Sequence, residues 1–223
     1  MSSRPDVSSR TLEIGLATRT RSGESQTGDA HLVKPVGDGV VGGGGRGGGT
    51  LIAVTDGLGH GAEAADAARK AIATLERHAG KSVLTLMQQC HAALIGTRGV
   101  VLTLAYLDSG DGTLTWAGVG NVDAVLLYGD GDSPHARATL VTRGGIVGSE
   151  LPPLRAEVLS FSRGDTLIIA TDGIRSGFAD ALPPASSCQD IADHILEEFD
   201  KGSDDALVLV VRPAAEMRPV DVS

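Results

Sequence analysis

The spacing of apolar positions along this chain changes period several times, and each change predicts an element. Residues 12–19 alternate apolar and polar side chains, the two-residue period of a strand with one buried face. A second strand, residues 31–36, is expected after the turn-like stretch SGESQTGD. Residues 50–55 form an unbroken apolar run, LIAV at its centre, which suits a strand buried on both faces. The period then turns helical. Ala64, Ala68, Ile72, Leu75 and Ala79 stripe a helix predicted over 62–79, and Gly80 ends it. Val83, Met87, Cys90 and Leu94 stripe a second helix that starts near Ser82.

Short strands follow. Residues 99–107 and 113–119 flank DSGDG, a hairpin signal. Further strands are expected at 121–128, 137–141, 158–161 and 166–171. A last helix spans 188–199, with Ile191, Ile195 and Phe199 facing inward, and an apolar strand at 207–211 closes the pattern. Helices thus come as one early pair and one late single, with hairpins elsewhere. That order predicts an α+β fold with largely antiparallel sheets covered by helices. About ten strands rarely stay in one open sheet, so two sheets are expected.

Composition narrows the function. Aromatic residues make up 3% of the 223, which makes stacking on nucleobases a poor candidate mode. The formal charge is −9 and no basic stripe stands out, which argues against nucleic acid and anionic membrane as partners. The opening MSSRPDVSSR has no apolar core, and no apolar run reaches membrane-spanning length. Cys90 and Cys188 belong to no CxxC and suit a reducing cytoplasm, so a cytoplasmic protein is expected. Residues 1–10 and 214–223 read as disordered flanks around a single domain at 11–213. The run GDGVVGGGGRGGG at 37–49 reads as a flexible loop tip; no Gly-Lys-Ser/Thr follows it, so it is not a P-loop.

The chemistry is carried by an internal echo. Residues 51–57 read LIAVTDG and residues 167–173 read LIIATDG, identical at five of seven positions. Each copy is a buried-type strand that delivers an aspartate, Asp56 or Asp172, at its carboxyl end. A single Thr-Asp-Gly would be an ordinary turn. Two copies, joined by Asp29 in TGDAH and the Asp204/Asp205 pair in KGSDDALVLVV, put four carboxylate sites at strand ends. Carboxylates brought together resist ionisation unless cations neutralise them, and an all-oxygen donor set suits Mg2+ or Mn2+. No Cys/His pattern offers a zinc site. A cysteine phosphatase needs Cys-x5-Arg, and Arg98 follows Cys90 two positions too late. His60, Arg19 and Arg21 read as surface residues. A nucleotide-binding module of the anti-sigma kinase type, built on Gly57, Gly59 and Gly61, is the alternative. Its third glycine comes one residue early for GxGxxG, however, and no ribose-binding acid follows.

Asp29 after a glycine, DGLGHG running into an Ala-rich helix, GVGN at 118–121, TDGI at 171–174 and SDDALVLVV at 203–211 together resemble the PPM-type metal-dependent Ser/Thr protein phosphatases. The chain is similar to their short bacterial SpoIIE branch, and GNVDAVLL and GGIVGSELPPL resemble the RsbX-type stressosome phosphatases within it. The resemblance implies two antiparallel β-sheets packed as a sandwich flanked by helices, in αββα layers. It implies two divalent cations, Mn2+ or Mg2+, held by Asp29, Asp56, the Gly57 carbonyl, Asp172 and Asp204, with Asp56 bridging and Asp205 the alternative to Asp204. A metal-bridging hydroxide would hydrolyse phosphoserine or phosphothreonine on a partner protein, a STAS-type stressosome scaffold, with the phosphatase itself a monomer. The larger members carry an acid before Asp29, where this chain has Gly28, so the first ion would be held less firmly.

Overall fold

A strand that is apolar on both faces needs a cover on both sides, and the fold supplies one. The computed structural model describes residues 11–37, 48–129, 137–183 and 186–214. Ten strands are present among them: β1 Leu12–Arg19, β2 Asp29–Val36, β3 Gly49–Gly57, β4 Val100–Asp108, β5 Thr113–Val119, β6 Asp123–Leu127, β7 Arg137–Thr139, β8 Glu157–Ser160, β9 Thr166–Ala170 and β10 Ala206–Pro213. Three α-helices join them: α1 Ala62–His78, α2 Val83–Leu94 and α3 Cys188–Phe199. One sheet has the order β1-β10-β9-β6-β7 and the other β2-β3-β4-β5-β8. Every pairing between these strands is antiparallel.

Side-chain alternation sorts the apolar residues into three layers. Ile52, Val54, Val101, Ala105, Leu167, Ile169, Leu207 and Leu209 point between the sheets and pack around the fully buried Trp116. Their neighbours Leu51, Ala53, Leu102 and Leu104 point the other way, onto α1 and α2. Ile168, Ala170, Val208 and Val210 meet α3 on the opposite outer face. This is the expected αββα sandwich. It also explains why antiparallel strands carry the unbroken apolar runs usual in parallel sheets: both faces of each sheet are covered.

The helices begin where the sequence signals a start. The Ser82 side chain accepts the Thr85 N–H at the head of α2, and Ser187 and Asp190 form a reciprocal capping box on α3. The two cysteines are buried and unpaired, on α2 and α3. No helix among the described residues is long and apolar enough to cross a membrane.

Boundaries shift in two informative places. The second strand begins at Asp29 and the third extends to Gly57, because their ladder continues until Asp29 stands opposite Asp56. Ala214, expected in the tail, donates its N–H to Thr11 O at 2.8 Å and so extends the β1–β10 edge. The flank 1–10, most of the tail (215–223) and positions 38–47 of the glycine run lie outside the described residues.

Candidate active site

The two echoed strands sit in different sheets, β3 in one and β9 in the other, and their carboxyl ends emerge at the same edge of the sandwich. A hydrogen bond ties that edge together. Thr171, which follows β9, donates its hydroxyl to Asp29 Oδ2 on β2 at 2.7 Å and accepts the Leu207 N–H at 2.9 Å. The equivalent Thr55 is also fully buried and donates to Val101 O at 2.9 Å. The glycine after each aspartate is required by close packing. A Cβ on Gly57 would lie 2.1 Å from the Ala64 carbonyl oxygen, and one on Gly173 would lie 1.9 Å from that of Asp205. The Thr-Asp-Gly echo is therefore a packing solution used twice: threonine inward, aspartate to the edge, glycine against a neighbouring backbone.

Asp29 and Asp56 face each other directly across the β2–β3 ladder. Like charges in that position oppose the pairing of the strands. Burial pushes the Asp56 carboxyl up to about 8, and the charges of Asp29, Asp172, Asp204 and Asp205 add to the rise. Burial likewise raises Asp29 to about 7, against the Thr171 hydrogen bond and with the other three aspartates contributing. The Asp29 Oδ1 atom is buried and has no hydrogen-bond partner among the described residues.

Beside this pair lies a cleft of about 220 Å3, lined by Arg21, Asp56, Leu58, Gly59, His60, Val101, Asn121, Asp172 and Asp204. Asn121 Nδ2 donates to Asp172 Oδ2 at 2.7 Å and holds that carboxylate in place. The Lys201 ammonium donates to the Asp172 carbonyl. The adjacent acids in SDDA divide their roles. Asp205 is 4% exposed, and its two oxygens accept the Arg21 and Gly28 amides at 2.8 and 2.7 Å, so it anchors the loop between β1 and β2. Asp204 lines the cleft and accepts the Asp205 N–H at 2.9 Å. Gly28 is also explained by packing. A Cβ there would stand 3.2 Å from the Ala64 Cβ and 3.4 Å from both Asp205 Oδ2 and the Gly57 carbonyl oxygen, which leaves little room for an acid.

Three residues read as surface from the sequence divide in the structure. Arg19 pairs with Asp200. Arg21 and His60 both line the cleft, and His60 Nδ1 lies 2.6 Å from Glu24 Oε1. Asn121 sat in a quoted segment, GVGN, without an assigned role; its place directly after a strand at the acidic edge was the available signal. Cys90 is fully buried, and burial pushes its thiol up to about 12, so it supplies no thiolate nucleophile.

The donor set fits a hard divalent cation. All the donors are oxygens, two carboxyls are forced toward protonation, and one buried carboxylate oxygen lacks a partner. Among the described residues no three Asp, Glu, His or Cys side chains close into a preformed cage.

A two-sheet αββα sandwich with acids gathered at one edge is the PP2C-type phosphatase fold. The phosphatase domain of SpoIIE from Bacillus subtilis superimposes with a TM-score of 0.70 at 22% identity, over 91% of this chain and 63% of that one. The sequence profile of the Stage II sporulation protein E (SpoIIE) family matches residues 46–214, well over half the chain, and the chain belongs to that family. A chain solved in work on the bacterial stressosome, a modular system adapted to control secondary-messenger signalling, is 34% identical with a TM-score of 0.77, over 91% of this chain and all of that one. The phosphoserine phosphatase RsbX of Bacillus subtilis (strain 168) is 24% identical over 124 residues, 56% of this chain; the match spans 60% of that curated relative's length. A structure of RsbX in complex with magnesium superimposes with a TM-score of 0.77 at 19% identity, over 91% of this chain and 96% of that one.

Proposed function

We propose that this protein is a metal-dependent phosphatase that removes phosphate from serine or threonine on a partner protein, with STAS-type stressosome scaffolds as its substrates in the cytoplasm. The observation that carries the reading is the Asp29–Asp56 pair, two acids held face to face beside a cleft that Asp172 and Asp204 complete. Such a pair is stable only with a proton or a cation between its members. Asp29, Asp56, Asp172, Asp204 and the Gly57 carbonyl would hold two Mg2+ or Mn2+ ions. When bound, these ions polarise the phosphoryl group and acidify water. Asn121 fixes the Asp172 carboxylate, and Arg21, which lines the cleft, would offer phosphoryl oxygens a guanidinium.

The protein-substrate reading rests on the size of the cleft and on the relatives. A cleft of about 220 Å3 admits a phosphorylated side chain, so a folded partner must dock on the surface around it. RsbX is named a phosphoserine phosphatase, and the 34%-identical neighbour comes from work on a stressosome. The test compares kcat/KM on a phosphorylated STAS protein with that on a phosphopeptide of the same local sequence, both with Mn2+. The folded protein is expected to be the better substrate. Equal values would remove the docking claim, and no phosphate release from either would remove the phosphatase reading.

A further inference from the structure

The loop that carries Asp172 lies just beyond its sheet. Ala170 is the last residue of β9 paired on both sides, with Val208 of β10 and Asp123 of β6. Past that point the stretch after α3 holds the loop. Phe199 O accepts the Arg175 N–H at 2.8 Å, and Ile174 forms an isolated antiparallel bridge with Asp200. The Lys201 N–H donates to Gly173 O at 2.9 Å, and the Lys201 ammonium donates to Asp172 O. One residue thus grips two successive carbonyls of the loop, the first with its side chain and the second with its backbone.

The backbone of Lys201 is itself fixed from both sides. Asp200 pairs with Arg19 at the end of β1 and accepts the Gly202 N–H at 2.9 Å, and Gly202 turns the chain at φ +78°. The loop is pressed against the same stretch further on, where a Cβ on Gly173 would stand 1.9 Å from the Asp205 carbonyl oxygen. Asp172 is therefore held at two points. Asn121 holds its carboxylate, and Lys201 holds its carbonyl.

The ammonium has two effects of opposite sign on a cation at this edge. Its charge reaches the acids: burial raises the Asp123 carboxyl at the head of β6, the Lys201 charge opposes that rise, and Asp172 adds to it. A positive charge so placed repels an entering cation. Its hydrogen bond, by contrast, fixes the backbone of a residue that the cation needs, and leaves the carboxylate to Asn121 and the cleft. Groups that orient a metal ligand set the affinity of the site although they never touch the ion.

We propose that Lys201 is a positioning residue: by holding the Asp172 carbonyl it aims the Asp172 carboxylate into the cleft and tightens cation binding there. The proposal rests on the cation-binding role given to Asp172 above.

The opposite signs make the test sharp. Lys201→Met keeps the aliphatic stem and removes both donor and charge, whereas Lys201→Arg keeps both. Mn2+ affinity, measured by calorimetry, is expected to fall about tenfold in Lys201→Met and to return to within about threefold of wild type in Lys201→Arg. The Mn2+ concentration that half-activates phosphate release should rise by the same factor as the dissociation constant. Melting in chelator verifies that both variants are folded. If Lys201 acted only as a counter-charge, Lys201→Met would bind Mn2+ more tightly than wild type. Tighter or unchanged binding in Lys201→Met would overturn the proposal, as would a Lys201→Arg protein as weak as Lys201→Met. A wild-type protein that binds Mn2+ yet releases no phosphate would overturn the phosphatase reading and leave the measured affinities to decide this one.

Discussion

Asp29 and Asp56 occupy opposed positions on adjacent strands, and their charges work against the ladder that holds them there. In Asp56→Asn the repulsion and a proposed cation ligand disappear together. The metal-free variant is therefore expected to melt at or above the wild-type temperature, since an opposed like-charge pair costs up to about 1 kcal/mol. Its phosphatase activity should be almost wholly lost, as should that of Asp172→Asn, and a variant with wild-type turnover at saturating Mn2+ would remove its residue from the ligand set. The same pair sets a pH dependence. Both carboxyls have folded values above the ordinary 3.8, about 7 for Asp29 and about 8 for Asp56. The folded state thus holds protons that the unfolded chain releases, so stability is highest below about pH 4 on this account and is lost as pH rises through 7 and 8. In chelator, Tm should fall between pH 5 and pH 9, and Asp56→Asn should flatten that fall. A flat or rising wild-type Tm would contradict the burial argument.

At the scale of elements, the loop between β1 and β2 and the start of β10 meet through two adjacent acids with different work. Asp205 is buried against two amides, whereas Asp204 faces the cleft. Asp205→Asn is expected to destabilise the fold by about 2 kcal/mol, because an amide group replaces an acceptor opposite a backbone N–H. Asp204→Asn should leave Tm nearly unchanged and weaken Mn2+ binding. Calorimetry with thermal melts separates them, and the reverse assignment would show as the reverse pattern. This division was not legible in the sequence, where SDDA offers two equivalent carboxylates. Strand periods, helix stripes and the Thr-Asp-Gly echo were legible, because each reflects a local rule of burial or turn geometry. The partners of Thr171, Asn121 and Glu24 lie 142, 51 and 36 residues away and become visible only once the sheets are stacked. His60 and Arg21 looked like surface for the same reason: the cleft that receives them is assembled from loops far apart in the chain.

For the whole molecule, the sandwich keeps its apolar layers covered and gathers Asp29, Asp56, Asp172, Asp204 and Asp205 at one edge, so the cost of gathering those five acids falls on the site. A cation that binds only the folded state should return that cost. At 100 times its dissociation constant such an ion adds about 2.7 kcal/mol of stability. Mn2+ should therefore raise the wild-type Tm, and the rise should shrink in Asp56→Asn and Asp172→Asn. An equal Tm rise in all three proteins would point to cation binding elsewhere.

Phosphate release from a phosphoserine protein, followed through removal and return of the metal, bears most directly on the assigned chemistry. The wild-type protein is expected to release phosphate with Mn2+ or Mg2+, to stop in excess chelator, and to recover when the cation is restored, while Asp56→Asn stays inactive throughout. Release that continues after complete metal removal, or an Asp56→Asn protein that recovers with wild type, would contradict the account.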